Sequence, residues 1–285
     1  MQKIQNSALL ILFTLCLSLN FLQADEPGLV WLPTGSYFET LLLDPAAPQT
    51  SASMLAYQVE GSEEEKVYSP INIGVQKMVA RFELPEGQGF EFGIEFGVHS
   101  QFSIVDSGET YMGGLQNTDY RIGGMIHYKR PKAIYRLAIF HQSSHLGDDY
   151  MLRSNFLQAN SKVLNFEQLS ITRSATVGYG RYYFAYGYNI SPNTTRKRSE
   201  LQGGYLYHHP FPGSVDFAYL LGLDIKVYEQ NNYQPNLKFG VGIELGRKWR
   251  NPFMIIAEYY KGHLPYSTLE YQKVQLYGLG VYFHL

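Results

Sequence analysis

Apolar and polar residues alternate with a period of two along three long segments of the chain. In residues 88–102, every second side chain is aromatic or aliphatic, and those between are glycine, charged or polar. Successive side chains of a β-strand point to opposite faces, so the pattern predicts strands with one apolar and one polar face. The apolar sets are Phe90, Phe92, Ile94, Phe96 and Val98, then Val215, Phe217, Tyr219, Leu221, Leu223, Ile225 and Val227, then Leu237, Phe239, Val241, Ile243 and Leu245.

These runs are long enough to cross a bilayer as tilted strands, which need about 9–11 residues. A soluble sandwich also alternates, but its strands are usually about 5–6 residues long. Twelve strands follow from the pattern, and an even number is what single-chain bacterial barrels have. We predict an all-β fold, a single antiparallel transmembrane β-barrel with strands at 51–60, 72–84, 88–102, 117–129, 132–145, 163–172, 175–189, 198–208, 214–228, 236–248, 252–263 and 273–285.

The first 24 residues have the order of a secretory signal peptide. Lys3 precedes an apolar run, and the small residue Ala24 ends it before two acidic residues. Such a leader is removed on export, and it carries Cys16, the single cysteine of the chain. The predicted barrel then occupies residues 51–285. Residues 25–50 form an N-terminal lead-in whose role stays open between a periplasmic approach, a plug and an extra strand.

Composition narrows the class of protein further. The chain has 24 Tyr, 17 Phe and 27 Gly with a formal charge of −2, so it lacks the basic patch of a nucleic-acid-binding protein. Abundant aromatics and glycine with export predict the outer membrane of a double-membraned bacterium. The last predicted strand, residues 275–285, resembles the signal that the outer-membrane assembly machinery reads, with Leu285 where a terminal Phe is usual.

One polar pair stands on an otherwise apolar strand face. In the fifth predicted strand, Leu137 and Ile139 are followed on the same face by His141 and Ser143. Placing polar groups next to lipid costs free energy, so this pair needs an explanation. An imidazole beside a hydroxyl can take its proton and make a nucleophile. A substrate that is itself a lipid, presented from the outer leaflet, is one such reason.

The spacing of His141, Ser143 and Asn155 resembles that of the outer-membrane phospholipase A family. The resemblance implies an acyl-ester hydrolase with Ser143 as nucleophile, His141 as general base and Asn155 as the orienting group. It also implies a calcium-dependent homodimer, for which Asp148 and Asp149 offer oxygen ligands. Lipid A deacylases use a similar arrangement with an acidic third member.

The string from His141 to Tyr150, HQSSHLGDDY, resembles a second family, the bacterial barrels of domain of unknown function 1207. That likeness spans most of the chain and names no activity. If Asn155 lies in a longer loop, Asn165 or Glu167 on the sixth strand becomes the rival third member. His141, His145, Asp148 and Asp149 also fit a metal site. His141 and His145 also fit a polar rim that contacts lipid headgroups. The barrel as a whole also fits a non-enzymatic structural or channel protein.

Overall fold

A closed antiparallel barrel of twelve strands forms the body of the protein. The computed structural model describes residues 28–61, 65–105, 114–153, 164–191, 196–213, 216–246 and 252–283. The predicted leader lies outside these ranges. The strands are β1 Leu29–Trp31, β2 Thr50–Val59, β3 Glu65–Leu84, β4 Gln88–Val105, β5 Gly114–Arg130, β6 Ala133–Leu146, β7 Leu164–Val177, β8 Gly180–Asn189, β9 Ser199–Pro210, β10 Phe217–Tyr228, β11 Pro235–Leu245, β12 Phe253–His263 and β13 Lys273–Phe283.

Neighbouring strands pair in chain order, and β13 pairs with β2 to close the wall. A short helix, α1 (Asp148–Arg153), follows β6. Single helical turns occur at Pro85–Gly87, Glu229–Asn231 and Ser267–Leu269. Among the described residues, none of the helices has the length and apolar content that a membrane-crossing helix needs.

The predicted alternation sets the two faces of the wall. On β4, Ile94 is 59% exposed on the outside, whereas Glu95 is 2% exposed in the lumen. Phe92 and Val241 also stand on the outer surface and do not share a core. Because the apolar side chains cover the outside of the barrel, the burial pattern is the reverse of that of a soluble protein.

The strand bounds differ most from the prediction at the start of β3 and at the turn between β7 and β8. β3 begins at Glu65 instead of residue 72, and Pro70 lies within it. Proline donates no ladder hydrogen bond, and the strand accommodates it opposite Gln101, shortly after a register shift between Val67 and Tyr68. The turn between β7 and β8 lies at Gly178, which has a φ of 60°, instead of at residues 173–174.

Charged side chains on the inner face pair with one another between nearby strands of the wall. The carboxylate of Glu95 accepts hydrogen bonds from Arg121, at 2.8 Å, and from Arg136. Nearer the end of the barrel with the short turns, Glu91 pairs with Arg81 at 2.7 Å. On the far wall, Lys238 contacts Glu258 at 2.7 Å. The polar face that the alternation predicts is packed and neutralised over this region.

Residues 32–49, which we call the lumen segment, run inside the barrel. β1 precedes them and pairs with β3 on the outer wall, from Leu29 opposite Phe82 to Trp31 opposite Ala80. Asp44 then forms an ion pair of 2.8 Å with Lys226 of β10. Irregular backbone needs partners for its polar groups, and the wall supplies them. Contacts of the segment with the wall include Ser36 with Glu91 and His127, Arg181 with the carbonyls of Glu39 and Thr40, and Arg121 with the carbonyl of Ala46.

The opposite end of the lumen is closed by the connection between β12 and β13, residues 264–272, which we call the mouth loop. Leu264, Tyr266 and Leu269 are buried in a cluster with wall residues. Ser267 N and Oγ both donate to the carboxylate of Asp119 at 3.0 Å. The barrel is therefore filled from both ends by its own chain.

Candidate functional site

The outer face of β6 carries the polar pair that the sequence singled out. Ala138 and Phe140 are buried towards the lumen, and Leu137 and Ile139 are exposed outside. His141 continues this outward face towards the end of the barrel with the long connections. Ser143 lies two residues further on the same face, because side chains at i and i+2 of a strand point the same way.

His141 meets a carboxylate on the neighbouring strand. The register of β6 and β7 places Glu167 directly opposite His141. Its Oε1 lies 2.9 Å from His141 Nδ1, and the two side chains are 44% and 46% exposed. An ion pair this exposed adds little stability. A carboxylate at Nδ1 does fix the tautomer of the ring, with the proton on Nδ1 and the lone pair on Nε2.

A third side chain holds Glu167 in place. Ser191 follows β8, and its Oγ donates to Oε2 of Glu167 while accepting the backbone N–H of Glu167 at 2.5 Å. Asn189 Oδ1 in turn accepts the backbone N–H of Ser191 at 3.0 Å. Both oxygens of the Glu167 carboxylate are therefore occupied, one by His141 and one by Ser191. Hydrogen bonds of this kind, which fix a neighbouring side chain, keep a reactive side chain in one orientation.

Ser143 has the position but not the hydrogen bond of an activated nucleophile. It is half-buried, opposite Tyr120 on β5 and Asn165 on β7. No hydrogen bond joins its Oγ to His141 among the contacts of the described residues. The arrangement is thus a His–Glu–Ser191 chain with a second serine two residues away on the same strand face.

The structure describes the other predicted site residues only in part. Asn155 lies outside the described residues, as does the side chain of Asp149. Asp148 is exposed at the first position of α1. Within the described ranges, no three His, Cys, Asp or Glu side chains come together as a metal-binding group. His145 instead makes an edge contact with Tyr120, with 5.8 Å between the ring centroids.

The family described as Protein of unknown function (DUF1207) matches residues 26–285. The chain belongs to the DUF1207 family. The resemblance carried by the string after His141 is thereby confirmed over nearly the whole length. None of the curated proteins matches this DUF1207 chain in sequence.

Solved barrels share the fold of the DUF1207 chain at low sequence identity. The outer membrane phospholipase A of Escherichia coli, solved as an active-site mutant, has a TM-score of 0.54 at 13% identity. The alignment covers 92% of this chain and 95% of that one. A second structure of the Escherichia coli enzyme has a TM-score of 0.52 at 12% identity and covers 85% of this chain and 96% of that chain.

The Salmonella typhi outer membrane phospholipase, solved as a dimer with bound calcium, has a TM-score of 0.50 at 13% identity. That alignment covers 87% of this chain and 94% of the phospholipase. At such identities the likeness establishes the fold alone. The DUF1207 chain is therefore an outer-membrane-type β-barrel similar to phospholipase A.

Proposed function

We propose that the protein is an outer-membrane enzyme that hydrolyses acyl esters of lipids in the outer leaflet. The observation that carries the proposal is the His141–Glu167 pair on the outside of the barrel wall, with Ser143 on the same strand face. On the same face of β6, Leu137 and Ile139 are apolar and exposed, and a polar pair facing hydrocarbon is costly. A lipid ester brought to the wall would meet these side chains directly.

The surface of the barrel supports a membrane location. An apolar outer face surrounds the wall, and aromatic side chains gather at the end with the short turns, as in the interfacial girdles of membrane barrels. Tyr207 and Tyr219 lie 6.0 Å apart there, with His209 stacked beside them. In this arrangement the short turns face the periplasm, and His141 lies at the level of the outer leaflet.

In the proposed reaction, Ser143 Oγ attacks the ester carbonyl of the lipid while His141 Nε2 takes its proton. The imidazolium that forms is stabilised by Glu167 at Nδ1. His141 then gives its proton to the leaving alcohol oxygen, the ester bond breaks, and the acyl group stays on Ser143. A water molecule, deprotonated by His141, attacks this acyl-enzyme and releases a fatty acid.

Glu167 takes the orienting role that the sequence assigned to Asn155, with Asn165 and Glu167 as rivals. Its Oε1 contacts His141 Nδ1, which is the atom an orienting group must hold. The missing bond between Ser143 and His141 is compatible with the proposal, because catalytic hydrogen bonds in substrate-free enzymes are often long and tighten with substrate. Calcium at Asp148 and Asp149, homodimer formation and insertion by the outer-membrane assembly machinery remain predictions.

The proposal is tested by fatty-acid release from mixed micelles of phospholipid or lipid A and detergent. The wild-type protein is compared with Ser143→Ala, with calcium and with a chelator. Ser100→Ala is the matched control, because Ser100 lies on β4 near the same end and hydrogen-bonds Thr118 at a distance of 3.1 Å. We expect release from wild type and Ser100→Ala, and a loss of at least about 10³-fold in Ser143→Ala.

Equal release by wild type and Ser143→Ala, or no release from any lipid with calcium present, would rule the hydrolase out. An open channel is disfavoured by the packing of the lumen. The lumen segment and the mouth loop occupy its two ends. A non-enzymatic structural barrel is then the function that a negative assay leaves.

A further inference from the structure

The barrel wall has a seam between β2 and β3. Pairing of β3 with β2 ends at Asn72, opposite Ser51, and its pairing with β1 begins at Ala80. Between these points, residues 75–78 of β3 have no strand partner on this side in the described part of the chain. Because β2 starts only at Thr50, the wall lacks a strand beside residues 75–78 of β3.

The lumen segment joins the barrel wall at this seam. At Gly74 of β3, a Cβ atom would lie 2.3 Å from the backbone nitrogen of Gln49. Only glycine allows the chain to cross the strand so closely. Thr50 Oγ1 then bonds the carbonyl of Gly74 at 3.1 Å and starts β2. The seam is thus a built feature of the fold, with a specific residue at the crossing point.

A cavity of about 570 Å³ lies between the lumen segment and the wall at the end with the short turns. Its inner lining includes Leu220 and Met254, which point into the lumen. Its lining also includes Val75 and Phe283, each 46% exposed on the outer surface. Since side chains of both faces line one cavity, the cavity reaches the outside of the wall at the seam.

The polar lining of this cavity carries charges of both signs, and the side chain at its outer mouth is basic. Lys77 lies at this mouth, where the one hydrogen bond of its Nζ among the described residues goes to the carbonyl of Pro33, at 3.5 Å. Arg181, 7% exposed, donates from Nη1 and Nη2 to carbonyls of the lumen segment, and its buried Nε has no partner in the described part of the chain. The Glu39 carboxylate, 78% exposed, forms an ion pair of 3.2 Å with Nη1 of Arg181 and offsets part of its charge. His208 and Glu244 pair with each other at 2.7 Å.

We propose that this cavity binds a single-chain anionic amphiphile, with its acyl chain against Leu220 and Met254 and its head near Lys77 and Arg181. The volume of the cavity falls within the roughly 300–1,000 Å³ that is usual for binding sites of small ligands. Access through the seam comes from the membrane side of the wall. The site lies at the opposite end of the barrel from His141, and it stands independently of the hydrolase.

Photo-crosslinking in lipid nanodiscs tests the site with the full-length protein. The probes are a diazirine-labelled 16-carbon fatty acid and the corresponding uncharged alcohol, and labelled peptides are mapped by mass spectrometry. Met254→Trp fills the cavity from the lumen side. Ile255→Trp is the matched control, since Ile255 is the next residue of β12 and points outward. Lys77→Glu reverses the charge at the mouth.

We expect saturable labelling by the fatty acid at the cavity-lining residues of β3, β12 and β13 in wild type. Met254→Trp should reduce it at least tenfold, and Ile255→Trp should leave it unchanged. Lys77→Glu should reduce labelling by the acid several-fold but not by the alcohol. Ser143→Ala should label like wild type, which separates this site from the proposed catalysis.

Unlabelled fatty acid and an anionic lysophospholipid serve as competitors and distinguish the two sources of such a ligand. Displacement by either supports the site and identifies its ligand. Labelling that neither competitor displaces, or that is spread over the outer belt equally in wild type and Met254→Trp, would overturn the proposal. If heat-shift gels show that Met254→Trp does not fold, the Lys77→Glu comparison of acid with alcohol decides alone, and equal loss of both contradicts it.

Discussion

The outward polar chain of His141, Glu167 and Ser191 has few structural reasons to exist. Its ion pair is nearly half exposed and contributes little to folding. In contrast, the lumen pair Glu95–Arg121 is buried and holds two strands together. Because the outer pair contributes little to stability, its residues can be exchanged and any effect read as an effect on function.

The first prediction separates Glu167 from Asn155 as the orienting group. Glu167→Gln keeps the size of the side chain but removes the charge that stabilises a protonated His141. We expect lipid hydrolysis to fall by about 10²–10⁴-fold, as when the acidic member of such a triad is neutralised. Asn155→Ala should retain most of the activity. A large loss in Asn155→Ala with an active Glu167→Gln would return the orienting role to Asn155.

The second prediction concerns Ser191 as a positioning residue. Ser191→Ala removes the hydroxyl that fixes Oε2 of Glu167. A hydrogen bond to a charged group contributes about 1.5–3 kcal/mol, so we expect kcat to drop roughly tenfold or more with KM unchanged. Ser191→Thr, which keeps the hydroxyl, should restore it. A rise in KM alone, or no rescue by threonine, would assign Ser191 to packing.

The sequence predicted part of this site because the face on which a strand residue lies follows from its position along that strand alone. His141 and Ser143 are two residues apart on one strand, so the period-two pattern alone placed them on one face. Placing Glu167 opposite His141 requires the register between β6 and β7, which depends on the intervening residues 147–163. From the sequence, Glu167 therefore remained one candidate among three. Ser191 follows β8 by an irregular turn, and no periodicity marks such a position.

At the scale of elements, the alternation predicted the strands well and the lumen segment poorly. Strands are recognisable because their side chains alternate between two faces. The lumen segment has no repeating face, and its backbone finds partners on strands distant in sequence, such as Arg181 and Arg121. A plug was one of three roles left open for these residues. Only the packed barrel shows which of them the chain adopts.

The third prediction is a pH dependence of the contact between the lumen segment and the wall. Burial alone would raise the pKa of Asp44, but the ammonium of Lys226 outweighs it and holds the pKa below its usual range. A carboxylate with a depressed pKa stabilises the fold above its unfolded pKa, near 3.9, and loses this stabilisation as the pH falls through the lower, folded value.

Asp44→Asn should therefore lower the thermal unfolding midpoint at pH 7, because the buried Lys226 then keeps only the more distant Glu200, at 3.6 Å, as an ion-pair partner in the described part of the chain. Removing one partner of a buried ion pair costs up to about 3 kcal/mol. The difference from wild type should persist at pH 5 and shrink below about pH 4. Unfolding in detergent, followed by loss of tryptophan or circular-dichroism signal, measures both. A difference that is constant down to pH 2 would show that the ion pair is not its source.

At the scale of the whole molecule, the barrel is closed at two separate places. The lumen segment lies towards the short turns, through contacts such as Ser36 with Glu91. The mouth loop lies at the other end, where Thr268 N donates to Ser144 Oγ at 3.1 Å. The two elements lie in series along one lumen, so we expect either one alone to stop the flow of ions.

The fourth prediction follows from this series arrangement. In planar bilayers, the wild-type protein should show no steady conductance. Replacing residues 36–47 by a Gly-Ser linker should leave it closed, because Leu264 and Leu269 still fill the mouth. Replacing residues 265–270 should also leave it closed. The double variant should conduct, since a lumen lined by charged side chains then becomes continuous and wet.

The double variant is informative only if the wall itself survives, which resistance of the barrel to trypsin and to heat on a gel establishes. Wild-type openings would contradict the series arrangement and favour a channel function. Conductance in one single variant would show that the other element does not seal by itself. Conductance confined to the double variant would instead mean that the barrel is kept closed by two independent parts of its own chain. A closed lumen is what the proposed enzyme requires, because its site lies on the outer surface of the wall.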